Sequence, residues 1–99
     1  MSAWGELKRL LNKEKEITEN RLLNTICITH IVSYKKFREY LHILVDIEYI
    51  GHWRGHFSKY DSVNVPHYKL YKKIPEKLTI NDAKKMKQMP WLEWFKYSE

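Results

Sequence analysis

The chain has 99 residues, enough for one small domain, which excludes a second folded module. Its 43% hydrophobic and 30% charged residues can build a core, and no apolar stretch approaches the roughly 18 residues of a membrane span, so we expect a cytoplasmic protein. Eighteen Lys and Arg against twelve Asp and Glu give a net charge of +6, concentrated in residues 51–99, which favours polyanionic partners.

Apolar residues at helical spacing predict an amphipathic helix over residues 3–15. The apolar positions of this helix are Trp4, Leu7, Leu10 and Leu11. A second helix is predicted to begin after Thr18, a good N-cap residue, and to end near Thr29. Its apolar side includes Cys27, the single cysteine, which we interpret as a small buried residue because it cannot form an internal disulfide.

A third helix is predicted from Ser33, another N-cap residue, to about Ile47. Its predicted buried stripe consists of Phe37, Tyr40, Leu41, Leu44 and Val45, and its polar face carries Tyr34, Lys35, Arg38 and His42. Lys35 and Lys36 lie in the first turn, where the helix dipole disfavours cations. A purely structural helix would place acids there, so the pattern favours a binding face over the alternative of a merely solvated one.

Two strands are predicted next, over residues 49–53 and 66–74, separated by a loop from Arg54 to Val65 that is too long for a tight turn. In the second strand Tyr68 and Leu70 alternate with Lys69. The loop begins with the basic and aromatic stretch RGHFSK, whose Arg54, His56 and Lys59 are candidate contacts for phosphates. Lys69 either extends this surface or protects an edge strand.

Thr79 is predicted to cap a short basic helix that runs through Lys87, and Pro90 separates this helix from an aromatic tail. Trp91, Leu92 and Phe95 of the tail can share one helical face. Packing of the tail against the core and formation of a homodimer both remain open. The candidate residues of a dimer interface are Trp4, Leu7, Leu11, Trp91, Trp94 and Phe95.

The stretch SYKKFREYLHILVDIEYI, residues 33–50, follows a helix and a short turn and leads into two strands joined by a basic loop. This order resembles the winged helix-turn-helix family of DNA-binding domains over residues 18–74. The resemblance implies a single α+β domain, residues 1–99, with a first helix in 1–17, a helix-turn-helix in 18–50, a two-stranded wing in 49–74 and a helical extension in 75–99.

The same resemblance implies sequence-specific binding to double-stranded DNA by a homodimeric transcription regulator, without a cofactor or small-molecule substrate. In this family the start of the third helix enters the major groove, and the wing contacts the DNA backbone or the minor groove. The residues that it assigns to DNA binding are Ser33, Tyr34, Lys35, Lys36, Arg38, His42, Arg54, His56, Lys59 and Lys69.

Metal binding and catalysis are not predicted. The spacing of His52 and His56 suits zinc on a helix, but here it falls where a strand meets a loop, and no cysteine pair accompanies it. A Gly-rich phosphate loop is also absent from a chain with three glycines. Three acids that could hold Mg²⁺ have no spacing that fixes them around one point, namely Asp46, Glu48 and Asp61.

A non-enzymatic structural or protein-interaction protein is the second hypothesis, in which the aromatic tail binds another protein. Abundant Lys, Ile and Tyr with a single Cys and a single Gln are typical of thermophilic archaea and their viruses, whose charged surfaces also serve thermostability. For a viral protein of this kind, the expected compartment is the host cytoplasm.

Overall fold

A computed structural model describes residues 2–55 and 65–97, without the side chains of Arg54 and Gly55. These residues form an α+β fold of five helices and a three-stranded antiparallel sheet. The helices are α1 (Ala3–Glu14), α2 (19–30), α3 (Tyr34–Asp46), α4 (Ile80–Gln88) and a 3-10 helix (Trp91–Tyr97). The strands are β1 (Glu16–Thr18), β2 (Ile50–Gly55) and β3 (Val65–Leu70), with β3 in the centre.

The predicted first helix is confirmed as α1. The Ser2 hydroxyl caps it by accepting a hydrogen bond from the Gly5 N–H at 3.1 Å, and Lys15 ends it in the left-handed conformation. The four predicted apolar positions are all buried in the core. Trp4, Leu7 and Leu11 are therefore buried in the core of a single chain. Their assignment to a dimer interface is wrong, because side chains buried in this way cannot contact a second copy.

The predicted N-caps of the next two helices are also confirmed. The hydroxyls of Thr18 and Ser33 each accept a hydrogen bond from a backbone N–H in the first turn of α2 and α3. The middle of α2, Leu23–Cys27, is π-helical. Cys27 packs half-buried against the core, and this burial raises the pKa of its thiol.

The core fills the space between helices α1 to α4 and the inner side of the sheet. The predicted stripe of α3 is correct for Phe37, Leu41 and Leu44, which are fully buried, whereas Tyr40 and Val45 are half-buried. Ile43 is buried as well, although the predicted stripe did not include it. The aromatic members of the core are Trp4, Phe37, Tyr49 and Tyr68.

The sheet differs from the predicted two-stranded wing because β1 adds a third strand. Ile17 of β1 pairs with Tyr68 of β3 in antiparallel register. Three residues between two helices are too few to display a period of two, which explains why the sequence pattern did not indicate this strand. Arg54 lies within β2 rather than in the predicted loop.

The second predicted strand ends at Leu70 rather than at Ile74. Leu70 donates a backbone hydrogen bond to the carbonyl of Lys15 at 2.7 Å, and the chain then leaves the sheet. Farther along, Asn12 of α1 bonds both backbone groups of Ile74, at 2.8 and 2.9 Å. Tyr71 still donates a backbone hydrogen bond to the Tyr49 carbonyl at 2.8 Å, whereas Ile74 is placed by α1.

The Thr79 cap of α4 is confirmed, since its hydroxyl accepts from the Asp82 N–H at 3.1 Å. Of the aromatic tail, Trp94 is half-buried and its indole N–H donates to the Met86 carbonyl at 2.7 Å. The packing of the tail against the core is partial, since three of its residues are at least 65% exposed, namely Trp91, Leu92 and Phe95. None of the helices in the described residues combines the length and the apolarity that crossing a membrane requires.

Candidate nucleic-acid interface

The first turn of α3 presents an exposed cluster of polar side chains. The Ser33 hydroxyl accepts from the Lys36 N–H at 3.2 Å and thereby fixes the start of the helix. Tyr34, Lys35 and Lys36 follow it and are exposed, and no acid lies in this turn. Within residues 2–55 and 65–97 neither lysine forms an ion pair. Both ammonium groups are therefore available to an external anion.

Arg38, one turn later, is held in place by its neighbours. Its guanidinium lies 5.3 Å from the centre of the Tyr34 ring and donates to the Tyr34 hydroxyl at 3.1 Å. Its Nε is also 3.9 Å from the carboxylate of Glu19. Arg38 was predicted to lie exposed on the polar face, and this is correct in part. Its side chain is 41% exposed, but its guanidinium also contacts Glu19 of α2.

Glu19 connects this arginine to the sheet. The hydroxyl of Tyr68 on β3 donates to the Glu19 carboxylate at 3.4 Å. Burial, with a smaller contribution from the Glu19 charge, raises the pKa of Tyr68 above its ordinary value. The phenol therefore stays neutral and remains a donor, so that Arg38, Glu19 and Tyr68 tie α3, α2 and β3 together.

Helix α4 runs beside α3 and contributes lysines that the sequence patterns did not place there. Lys84 lies 3.7 Å from the carboxylate of Glu39, and Lys87 lies 3.1 Å from that of Asp46. Asp46 is an acid at the end of a helix, where the dipole disfavours it, and the ammonium group of Lys87 offsets this effect. These pairs reduce the negative potential on the exposed side of α3.

A groove of about 880 Å³ separates the two helices. Its α3 side includes Tyr34, Lys35, Arg38 and His42, four of the residues assigned to DNA binding from the sequence. The two acids of α3 that pair with lysines of α4, Glu39 and Asp46, are seven residues apart, and positions i and i+7 share one helix face. This spacing was the signal in the sequence that both acids face the same neighbour. The partner of that face is set by tertiary packing.

His42 also borders a second, smaller cavity of about 310 Å³ between α3 and the sheet. There the ring of His52 stacks on that of Tyr68, with centroids 4.8 Å apart. Across the described residues, no three His, Cys, Asp or Glu side chains come together in a way that could hold a metal ion.

The hairpin residues assigned to DNA binding are described only in part. His56 and Lys59 lie outside the described residues, and of Arg54 only the backbone, within β2, is described. Lys69 is exposed and lies 5.3 Å above the ring of Trp53. By the alternation of β3 it projects from the side of the sheet opposite to Tyr68, so it does not join the α3 face.

No family model, curated protein or solved structure matches this chain.

Proposed function

We propose that this protein is a winged-helix transcription regulator that binds double-stranded DNA in a sequence-specific manner through the start of α3 and the hairpin between β2 and β3. The order α1, α2, α3, β2, β3 supports the proposal, because it is the order on which the resemblance rests. The exposure of the polar face of α3 supports it as well. A helix of this kind can insert into the major groove, where Lys and Arg pair with guanine acceptors or phosphates.

The observation that carries the proposal is the pair of exposed lysines in the first turn of α3. Each cation opposes the helix dipole at a cost of about 0.3–1 kcal/mol, and among the described residues no carboxylate offsets it. Phosphates of a DNA backbone would supply the missing negative charge. Lys84 and Lys87 of α4 flank the same groove and neutralise Glu39 and Asp46, so these acids would repel a duplex less.

The test is a titration of labelled duplex DNA at several salt concentrations, with the variant K35A/K36A. We expect the affinity of the wild type to fall steeply with salt, because each neutralised phosphate contributes about −0.9 to the log–log slope. The variant should bind at least tenfold more weakly at low salt, and its slope should be shallower by about one or two. The matched control K13A/K77A removes the same charge at exposed sites outside α3 and should bind almost normally.

Absence of duplex binding at low salt would contradict the proposal, and so would an equal loss of affinity in the control. Selection from a pool of random duplexes tests the sequence specificity, since a regulator should enrich one motif and a general backbone binder should enrich none.

A second candidate is a protein-interaction role, favoured by the exposed apolar residues Trp91, Leu92 and Phe95. In this case the 3-10 helix would pair with that of a second copy. Sedimentation that shows a concentration-dependent dimer, lost in W91A/F95A, together with no duplex binding, would favour this role. A dimer that also binds a duplex would instead agree with the first proposal.

A further inference from the structure

The outer side of the sheet, which faces away from the core, carries an aromatic pair. Alternation along β2 places Gly51 and Trp53 on this side, beside Lys69 and His67 of β3. The Trp53 ring meets the ring of Tyr71 edge to face, with centroids 5.6 Å apart. Trp53 is 36% exposed and Tyr71 is 60% exposed, so both rings offer surface to a ligand.

Gly51 allows the two rings to lie close to the sheet. A Cβ at this position would overlap the indole ring of Trp53 and the hydroxyl of Tyr71. Both side chains therefore occupy the space that a larger residue would take, and they rest on the strand backbone instead of extending into solvent. This arrangement gives a shallow aromatic surface that is ordered before any ligand binds.

Tyr71 also borders a cavity of about 340 Å³ that is surrounded by lysines. Lys15, Lys72 and Lys73 line it, and the hydrogen bond between Leu70 and the Lys15 carbonyl joins their two chain segments. Across residues 2–55 and 65–97, none of these three lysines has a carboxylate within ion-pair distance. The cavity is thus strongly positive and adjoins the aromatic pair through Tyr71.

We propose that the aromatic pair Trp53 and Tyr71, together with the adjoining cavity lined by Lys15, Lys72 and Lys73, binds single-stranded nucleic acid. Unpaired bases would stack on the two rings, and the phosphates that link them would contact the lysines. A duplex keeps its base faces stacked internally and cannot use the rings, whereas a free phosphate uses only the lysines. The proposal does not depend on duplex binding, because none of these five residues is among those assigned to duplex binding.

The charge of the face agrees with this ligand. Glu16 of β1 is the acid that lies in register with Lys69, and its carboxylate is 3.5 Å from the Nε2 of His67. The ammonium of Lys69 lies 5.3 Å from the centre of the Trp53 ring, so a base that stacks on this ring would displace the ammonium to the edge of the ring, beside the adjoining phosphate. Lysines therefore outnumber acids on this face, and the excess complements a nucleic acid backbone.

The experiment compares a labelled 15-nucleotide oligo(dT), an abasic oligomer of the same length and a 15-base-pair duplex by fluorescence anisotropy. The variant W53A/Y71A should lose at least tenfold in affinity for oligo(dT) and keep its affinity for the duplex within twofold. The wild type should bind the abasic oligomer about as weakly as this variant binds oligo(dT). W91A/F95A removes two exposed aromatic residues elsewhere and is the matched control.

Two further variants test the lysines and the position of the rings separately. K72A/K73A should weaken binding of both single strands, because it removes phosphate contacts. G51A keeps every ring and charge but displaces both rings, so it should weaken oligo(dT) binding severalfold even if W53A/Y71A fails to fold. The proposal is overturned if oligo(dT) does not bind at low salt, if the abasic oligomer binds equally well, or if G51A and W53A/Y71A bind oligo(dT) like the wild type. Duplex binding by K35A/K36A is measured in parallel and reports on the other proposal alone.

Discussion

Ile31, in the turn between α2 and α3, has a backbone conformation that its side chain disfavours. Its φ is 53°, in the left-handed region, and its side chain is 92% exposed. A β-branched residue in this region is strained by about 1–2 kcal/mol, and so exposed a side chain recovers little of this by packing. The turn therefore keeps a locally unfavourable residue directly before the proposed recognition helix.

We predict that I31G raises the free energy of unfolding by about 0.5–1 kcal/mol, because glycine adopts this conformation without steric cost. Chemical denaturation measures the change. Ile28 is a matched control, since it is also exposed but lies in a helix, where glycine should lower the stability by about 1 kcal/mol. A destabilised I31G would show that the conformation of Ile31 is not strained.

At the scale of elements, α1 holds the segment that follows the sheet. Trp4, Lys8 and Asn12 are spaced by four and lie on one face of the helix. The Trp4 indole N–H donates to the Leu78 carbonyl at 2.8 Å, and Asn12 bonds the backbone of Ile74. Residues 74–78 are thus fixed by side chains of α1, which in turn sets where α4 begins.

Lys8 lies between Trp4 and Asn12 on this face of α1 and is 8% exposed. Its ammonium donates to the carbonyls of Glu76 and Leu78 at 2.7 and 2.8 Å. We predict that K8M lowers the free energy of unfolding by about 2–4 kcal/mol, because charge-assisted hydrogen bonds are lost and buried carbonyls are left with fewer donors. Denaturant unfolding measures the free energy of unfolding of K8M and of the control K13M. Lys13 is exposed on the same helix, so K13M should change this free energy by less than about 0.5 kcal/mol.

The start of α3 shows how far local sequence signals reach. The Ser33 cap and most of the buried stripe were predictable, because capping and helical period depend on neighbours in the chain, although Ile43 was missed. The position of α4 beside α3 was not predictable, since no local signal states which helices are adjacent. The pairs of Lys84 and Lys87 with acids of α3 therefore became visible only in the fold.

For the whole molecule, the network of Tyr68, Glu19 and Arg38 connects the sheet to two helices and makes stability depend on pH. The pKa of Tyr68 is raised in the folded state, chiefly by burial. Below the ordinary tyrosine pKa of about 10 both states are protonated, and this group adds no pH dependence. Above it the unfolded chain releases the proton while the folded chain retains it, so the free energy of unfolding falls.

We predict that Y68F is less stable than the wild type by about 1–2 kcal/mol at pH 8, because the Glu19 carboxylate loses a buried hydrogen bond. This deficit should shrink between pH 10 and pH 11, since the variant lacks the titrating phenol. Urea unfolding at several pH values measures the deficit at pH 8 and its decrease between pH 10 and pH 11. Y71F, whose ring is exposed, is the control. A deficit that stays constant up to pH 11 would contradict the assignment.

The sequence by itself determined helices α1 to α4 and the caps at Thr18, Ser33 and Thr79, because capping and hydrophobic period are encoded within about ten neighbouring residues. It also determined that the basic residues outnumber the acidic ones, mainly after residue 50. Only the tertiary structure decided where those charges meet. Strand β1, the position of α4 beside α3, and the joining of Lys15 with Lys72 and Lys73 all depend on contacts between distant segments, which no local pattern encodes.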